Sequence, residues 1–107
     1  MRTRLIIVPT YNELANAPLL IRRIFKHIPN SDVLVVDDGS PDKTADAIRE
    51  LQQEFHALHL LEQKTKLGLG SAYRLGFAWG LEQGYEELIE MDADLSHRVR
   101  DLKKMIE

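Results

Sequence analysis

Apolar residues in this chain fall into four short runs, at positions 5–8, 33–36, 58–61 and 88–91, separated by segments of helical period. A strand with one wet face alternates apolar and polar residues, whereas one covered on both faces is apolar almost throughout. The first, second and last runs therefore predict buried parallel strands. Between the first two, Leu19, Leu20, Arg23, Ile24 and His27 follow a helical rhythm, with Asn16 placed to cap the helix and Pro18 in its first turn. A second helix is expected to start from a Ser40 cap with Pro41 at its first position, and to carry Ala45, Ile48, Leu51 and Phe55 on one face. A third is expected from about Ser71 to Gln83, with Ala72, Leu75, Ala78 and Trp79 inward and Gly84 at its C-terminal end. After Arg100 a fourth helix begins. Strand–helix alternation of this kind predicts an α/β fold, a Rossmann-like parallel sheet with flanking helices and right-handed crossovers.

No linker, repeat or low-complexity stretch divides the 107 residues, so a single domain over 1–107 is expected. A fourth helix of about two turns, beside a fourth strand at a sheet edge, reads as the first part of a larger domain or as a minimal one. The composition, 44% hydrophobic and 29% charged, is ordinary for a globular protein and does not change this picture. Charge and cysteine content narrow the chemistry. A net charge of −3 gives no support to nucleic-acid binding, which calls for a basic surplus. The absence of cysteine excludes disulfides, thiol nucleophiles and cysteine-ligated metal centres. The basic start Met1-Arg2-Thr3-Arg4 precedes an apolar run too short for a signal peptide, and no stretch reaches the roughly 20 apolar residues of a membrane helix. A cytoplasmic location is expected, with work at a membrane surface still open to it.

Each polar cluster follows one of the predicted strands, and in a parallel sheet ligands bind beyond those C-terminal strand ends. The clusters are Pro9-Thr10-Tyr11-Asn12-Glu13, Asp37-Asp38-Gly39-Ser40-Pro41-Asp42, Lys64-Thr65-Lys66-Leu67-Gly68-Leu69-Gly70 and Asp92-Ala93-Asp94-Leu95-Ser96-His97. At strand spacing Asp92 and Asp94 project to the same side, about 6–7 Å apart. Two carboxylates so placed raise each other's proton affinity unless a cation neutralises them, and Mg²⁺ is commonly held by such groups together with substrate phosphates. Each cluster also has a purely structural explanation. The Asp92–Asp94 pair could cap a helix, Glu13 could complement a helix N-terminus, Asp37–Asp42 is good turn chemistry, and Gly68 and Gly70 could be turn glycines. Functionally, an aspartate after the second strand accepts hydrogen bonds from a base or ribose. Glycines opening a helix bring backbone N–H groups to phosphate, with Lys64 and Lys66 adding charge. His97, Trp79, Phe77 and the charged run 98–104 are better explained by surface and packing.

Familiar nucleotide and phosphoryl folds do not fit. A dinucleotide fingerprint belongs after the first strand, where this chain has 9–13, and Tyr73 stands where its third glycine would be; no G-x-x-x-x-G-K-[ST] occurs. Phosphatases with an aspartate nucleophile and receiver domains place their acidic pair after the first strand, not the fourth.

The collinear segments IVPTYNE, VVDDGSPDKTAD, KLGLGSAYRLGF and MDADLSH resemble those of family 2 glycosyltransferases of the GT-A fold, most of all the dolichyl- or polyprenyl-phosphate mannosyltransferase branch. The resemblance runs from about Leu5 to Leu102. It implies the N-terminal nucleotide-binding half of a GT-A domain, and an inverting, metal-dependent transfer of a hexose to polyprenyl or dolichyl phosphate at a membrane surface. GDP-mannose is the implied donor, with UDP-glucose the alternative. By this match Pro9, Tyr11, Glu13, Val36 and Asp38 would contact base and ribose with Asp37 beside them; from their own chemistry Lys66 and Gly68 would serve the phosphates. Asp92, Ala93 and Asp94 would line the ribose and diphosphate, Asp92 and Asp94 being the catalytic pair. Asp94 would be the main ligand of Mg²⁺ or Mn²⁺, with Ser96 at the second ligand position. The resemblance also leads one to expect arginine at Lys64, glycine at Thr65, proline at Val99 and a longer catalytic domain. A non-catalytic nucleotide-sugar-binding half, active only when a partner chain completes it, is the second reading, and a structural remnant that binds nothing and is held together by self-association is the third.

Overall fold

The computed structural model describes residues 3–93. Four strands, β1 (Arg4–Thr10), β2 (Asp32–Asp37), β3 (Leu58–Glu62) and β4 (Glu87–Glu90), alternate with three helices, α1 (Ala17–His27), α2 (Thr44–Gln52) and α3 (Leu69–Gln83). All pairings are parallel, in the order β3-β2-β1-β4, with Ile6 beside Val33 and Leu5 beside Leu88. The expected α/β class is the observed one.

Strand period explains how the two faces divide. Ile6 and Val8 of β1 and Val33 and Val35 of β2 pack with Leu20, Ile21 and Ile24 of α1 and Ile48 and Leu51 of α2. Their neighbours Leu5, Ile7, Leu34 and Val36 turn to the other face, where α3 lies. Each of these strand side chains is fully buried, and burial of such a side chain contributes about 1.5–3 kcal/mol. β1 and β2 are central and wholly enclosed, as their apolar runs predict. β4 is not: it has one neighbour among the described strands, and Glu87 and Glu90 at its ends are exposed.

Three local expectations give way to tertiary packing. On α1 the buried stripe is Ala17, Leu20, Ile21 and Ile24, and Leu19 points to solvent. On α3 Leu75 and Ala78 are exposed, and the inward stripe is Ala72, Gly76 and Gly80, flanked by half-buried Tyr73, Phe77 and Trp79. A Cβ on Gly76 would come within 2.6 Å of Ile7 Cγ2, so the glycine lets this helix lie against the sheet. Ser40 does not cap α2. The chain continues through a left-handed Lys43 (φ 69°), and α2 starts at Thr44, whose amide is taken by Asp42 Oδ1 at 3.0 Å. Gly84 ends α3 in the left-handed conformation, as expected.

The connections after β1 and β2 return to neighbouring strands. The one after β3 crosses under the sheet through α3 to β4, on the far side of β1. The strand order therefore reverses beside β1, which is where an open α/β sheet leaves a crevice at its C-terminal end.

Candidate functional site

A cleft of about 280 Å³ opens at that place. Pro9, Thr10, Tyr11 and Glu13 from the end of β1 and the loop after it line one side, and Lys66 from the approach to α3 with Leu69 and Ala72 from its first turn line the other. Asp38 and Asp92 complete it. All four polar clusters thus supply residues to one concavity through the fold alone, Pro9, Tyr11 and Glu13 from the first, Asp38 from the second, Lys66 from the third and Asp92 from the fourth, although up to 83 residues separate them in the chain.

The first side is shaped by side chains of the β2–α2 turn. Asn12 sits in the left-handed region (φ 53°), and three successive amides find side-chain acceptors: Asn12 on Ser40 Oγ (2.9 Å), Glu13 on Thr44 Oγ1 (3.1 Å) and Leu14 on Asp42 Oδ2 (3.2 Å). Asp37 holds the base of this arrangement. Its Oδ1 accepts from Thr10 Oγ1 at 2.7 Å and Ser40 Oγ at 2.6 Å, and its Oδ2 from the Ser40 amide at 2.9 Å. Asp37 is 2% exposed and does not line the cleft; it borders a neighbouring hollow with Gly39 and Lys64. Gly39 (φ 80°) is required there, since a Cβ would meet the Gln63 and Lys64 carbonyl oxygens at 3.2 Å.

The second side hangs on Asp38. Its Oδ1 accepts from Gln63 Nε2 at 2.7 Å and the Leu67 amide at 2.8 Å, and its Oδ2 from the Gly68 amide at 2.9 Å. A carboxylate therefore occupies the backbone donors at the head of α3 that the sequence offers to phosphate. Gly68 takes φ 100° and ψ 165°, a conformation essentially restricted to glycine. Lys66 reaches across the cleft and places Nζ 4.1 Å from the centre of the Tyr11 ring. The Tyr73 hydroxyl is pushed to a raised pKa by burial and then by the negative charges of Glu90 and Asp92.

The remaining predicted residues lie elsewhere. Val36 is fully buried beneath α3, and Ala93 is buried next to Asp92. Asp94, Ser96 and the helix expected after Arg100 lie outside the described residues. Among the described residues no three acidic or histidine side chains converge on a cation position. Thr10, Asp42, Thr44 and Gln63 carry the scaffold without having been singled out as site residues. Asp42 and Thr44 bear turn-type signatures that could have found them; Gln63, a lone amide after a strand, bears none.

The model of the family described as glycosyl transferase family 2 matches residues 5–107. The chain belongs to that family. Among curated proteins, the undecaprenyl-phosphate mannosyltransferase of Micrococcus luteus is 50% identical over 103 residues, which are 96% of this chain and 42% of that protein. The polyprenol monophosphomannose synthase of Mycolicibacterium smegmatis is 45% identical over 104 residues, 96% of this chain and 39% of that protein. The chain thus spans about two-fifths of the length of these relatives. Among solved structures, S. aureus TarS 1-349 superposes with a TM-score of 0.70 at 26% identity, over 88% of this chain and 28% of that one. The mannosyltransferase PcManGT from Pyrobaculum calidifontis, solved in complex with GDP-Man and Mn²⁺, superposes with a TM-score of 0.68 at 25% identity, over all of this chain and 33% of that one. For a family 2 glycosyltransferase the α/β sheet with its cleft beside β1 is the nucleotide-binding half of the GT-A fold.

Proposed function

We propose that this chain is the donor-binding part of a mannosyltransferase that moves mannose from GDP-mannose to a polyprenyl phosphate, with inversion at the anomeric carbon. The observation that carries this reading is the convergence of Tyr11, Glu13, Asp38, Lys66 and Asp92 on one cleft at the reversal of strand order, in a family 2 chain half identical to an undecaprenyl-phosphate mannosyltransferase.

Glu13 and Asp38 offer carboxylate oxygens to the base and ribose. About four lone-pair positions are available on a carboxylate, and Asp38 has three engaged, so it can accept one more bond. Lys66 is the cation for the diphosphate. Its contact with Tyr11 contributes about 0.5–1 kcal/mol, whereas a phosphate charge at about 4 Å contributes about 4 kcal/mol at an effective dielectric of 20. The diphosphate wins, and the Tyr11 ring is released to stack on the base. Asp92 offers its carboxylate at the cleft, and Asp94 and Ser96, which follow it in the sequence, would hold the ion; this all-oxygen donor set fits Mg²⁺ or Mn²⁺. Bound there, the ion would neutralise the charge that grows on the departing nucleotide. The acceptor phosphate is already ionised at neutral pH, so these residues need to orient it rather than deprotonate it. The enzyme would work on the face of a membrane, and no helix among the described residues is long and apolar enough to cross one.

Calorimetric titration of GDP-mannose and UDP-glucose into the protein, with Mn²⁺ and with EDTA, tests this. Metal-dependent binding of GDP-mannose, weakened in Asp94→Asn and Asp92→Asn, is expected; binding of UDP-glucose alone would replace the donor, and binding of neither would remove the assignment. Because the chain covers 42% and 39% of these relatives, a donor-binding unit without turnover of its own is the second reading. Transfer of radiolabelled mannose to undecaprenyl phosphate separates the two.

A further inference from the structure

A side chain outside the four polar clusters ties parts of the cleft together. Gln63 follows the last residue of β3. Its amide N–H continues the strand pairing onto the Asp37 carbonyl at 2.8 Å, its Nε2 donates to Asp38 Oδ1 at 2.7 Å, and its Oε1 accepts from Ser71 Oγ at 3.0 Å. It thus ties the end of β2 to the first turn of α3, bracketing the loop that carries Lys66. We propose that Gln63 is the positioning residue of the donor cleft: it holds Asp38 and the 64–68 loop in the geometry that receives the nucleotide diphosphate. This inference rests on the donor-binding reading given above.

The argument is one of donor and acceptor matching. Asp38 is only 4% exposed, and a buried carboxylate must be surrounded by donors. The Leu67 and Gly68 amides supply two, but both belong to the loop that has to be held, so they cannot by themselves fix where Asp38 points. Gln63 supplies the third from the sheet. Only its NH₂ group suits Asp38, which leaves its carbonyl oxygen for the Ser71 hydroxyl, and the amide has one satisfied orientation. Replacing the amide by a carboxylate of the same shape would set two negative groups in contact, which can coexist only by sharing a proton. The charged groups that line the cleft with Asp38 are Glu13, Lys66 and Asp92, and Glu62 and Lys64 flank Gln63 in sequence.

The test combines a measurement without ligand and one with GDP-mannose and Mn²⁺. In Gln63→Ala, the Leu67 and Gly68 amides should exchange with solvent several-fold faster by NMR while β1 and β2 amides stay as in the wild type. Affinity for GDP-mannose should fall about tenfold, the equivalent of one charge-assisted hydrogen bond. Gln63→Glu, of unchanged size and shape, should bind more weakly still at pH 7 and regain affinity towards pH 5, a recovery the wild type lacks; it also carries the test should Gln63→Ala fail to fold. Unchanged exchange and affinity in Gln63→Ala, or a Gln63→Glu protein with the wild-type pH profile, overturns the inference and leaves the donor-binding reading standing. A wild-type protein that binds no donor removes that reading, and the positioning role falls with it.

Discussion

On one face of the sheet α1 and α2 bury Leu20, Ile21, Ile24 and Ile48 completely; on the other α3 presents Ala72, Gly76 and Gly80, and its aromatic residues stay half-exposed. The first face is filled by side chains, the second by approach of the backbone itself. Long aliphatic residues hold α1 and α2 away from the strands and bury much area. Small residues let α3 settle close, which brings its first turn, with Leu69 and Ala72, to the strand ends as a wall of the cleft. The polar fastenings differ in the same sense. The loop between β1 and α1 is tied by three separate side chains, Ser40, Asp42 and Thr44, whereas the loop before α3 is gathered onto Asp38 and its partner Gln63.

The comparison breaks most clearly where side chains fill space. Ile24→Ala should cost about 2–5 kcal/mol in chemical denaturation, because the large residues around it cannot close the cavity. Phe77→Ala on the opposite face should cost less, since its ring is only partly buried. An equal loss from both would mean that the faces do not differ as described.

Glycine replacements sharpen the second face. Gly76→Ala places a methyl 2.6 Å from Ile7 Cγ2, in the fully buried centre of β1, where overpacking costs about 1–3 kcal/mol. The helix regains about 1 kcal/mol from losing the glycine, so a net loss of up to about 2 kcal/mol in urea unfolding is expected. Gly80→Ala meets Leu88 Cδ2, also at 2.6 Å, and Leu5 Cδ2 at 3.0 Å; half-buried Leu88 belongs to β4, which has one neighbour among the described strands, and can swing aside, so that Leu5 need give only slightly. Its stability should stay within about 1 kcal/mol of the wild type.

The smallest effect concerns the fastening of the first loop. The Asp42 carboxyl is held below the usual carboxylate range, chiefly by the Thr44 hydroxyl and, more weakly, by the Leu14 and Thr44 amides, against an opposing effect of burial. A folded-state value below the unfolded one near 3.9 means that Asp42 stabilises the fold above that pH, and that the contribution fades as pH falls through the folded value. Thermal unfolding of Asp42→Asn should therefore lie below the wild type at pH 6 and converge with it towards pH 2. A constant gap across this range would remove the ionised carboxylate as the cause.

Several of these features could be read before folding. The strands β1 and β2, the helix end at Gly84 and the strand-end placement of all four polar clusters follow from apolar runs, a glycine and turn residues, each a local signal. Leu19, Leu75 and Ala78 mislead because a helical rhythm of apolar residues does not say which stripe meets the sheet. Gly76 and Gly80 carry no hydrophobic signal, and they face the strands because nothing larger fits. Ser40 has the chemistry of a helix cap, yet its hydroxyl bridges Asp37 and the Asn12 amide, a contact over 28 residues that no local rule contains.

By itself, then, the sequence determined the α/β class, the family and the identity of the polar clusters, because strand burial, turn chemistry and collinear motifs are written in neighbouring residues. Tertiary structure alone decided which of those polar groups line the cleft and which hold the frame. Asp37 and Asp38 are adjacent and chemically identical, but alternation along the strand sends one carboxylate to Thr10 and Ser40 and the other to the cleft and the head of α3.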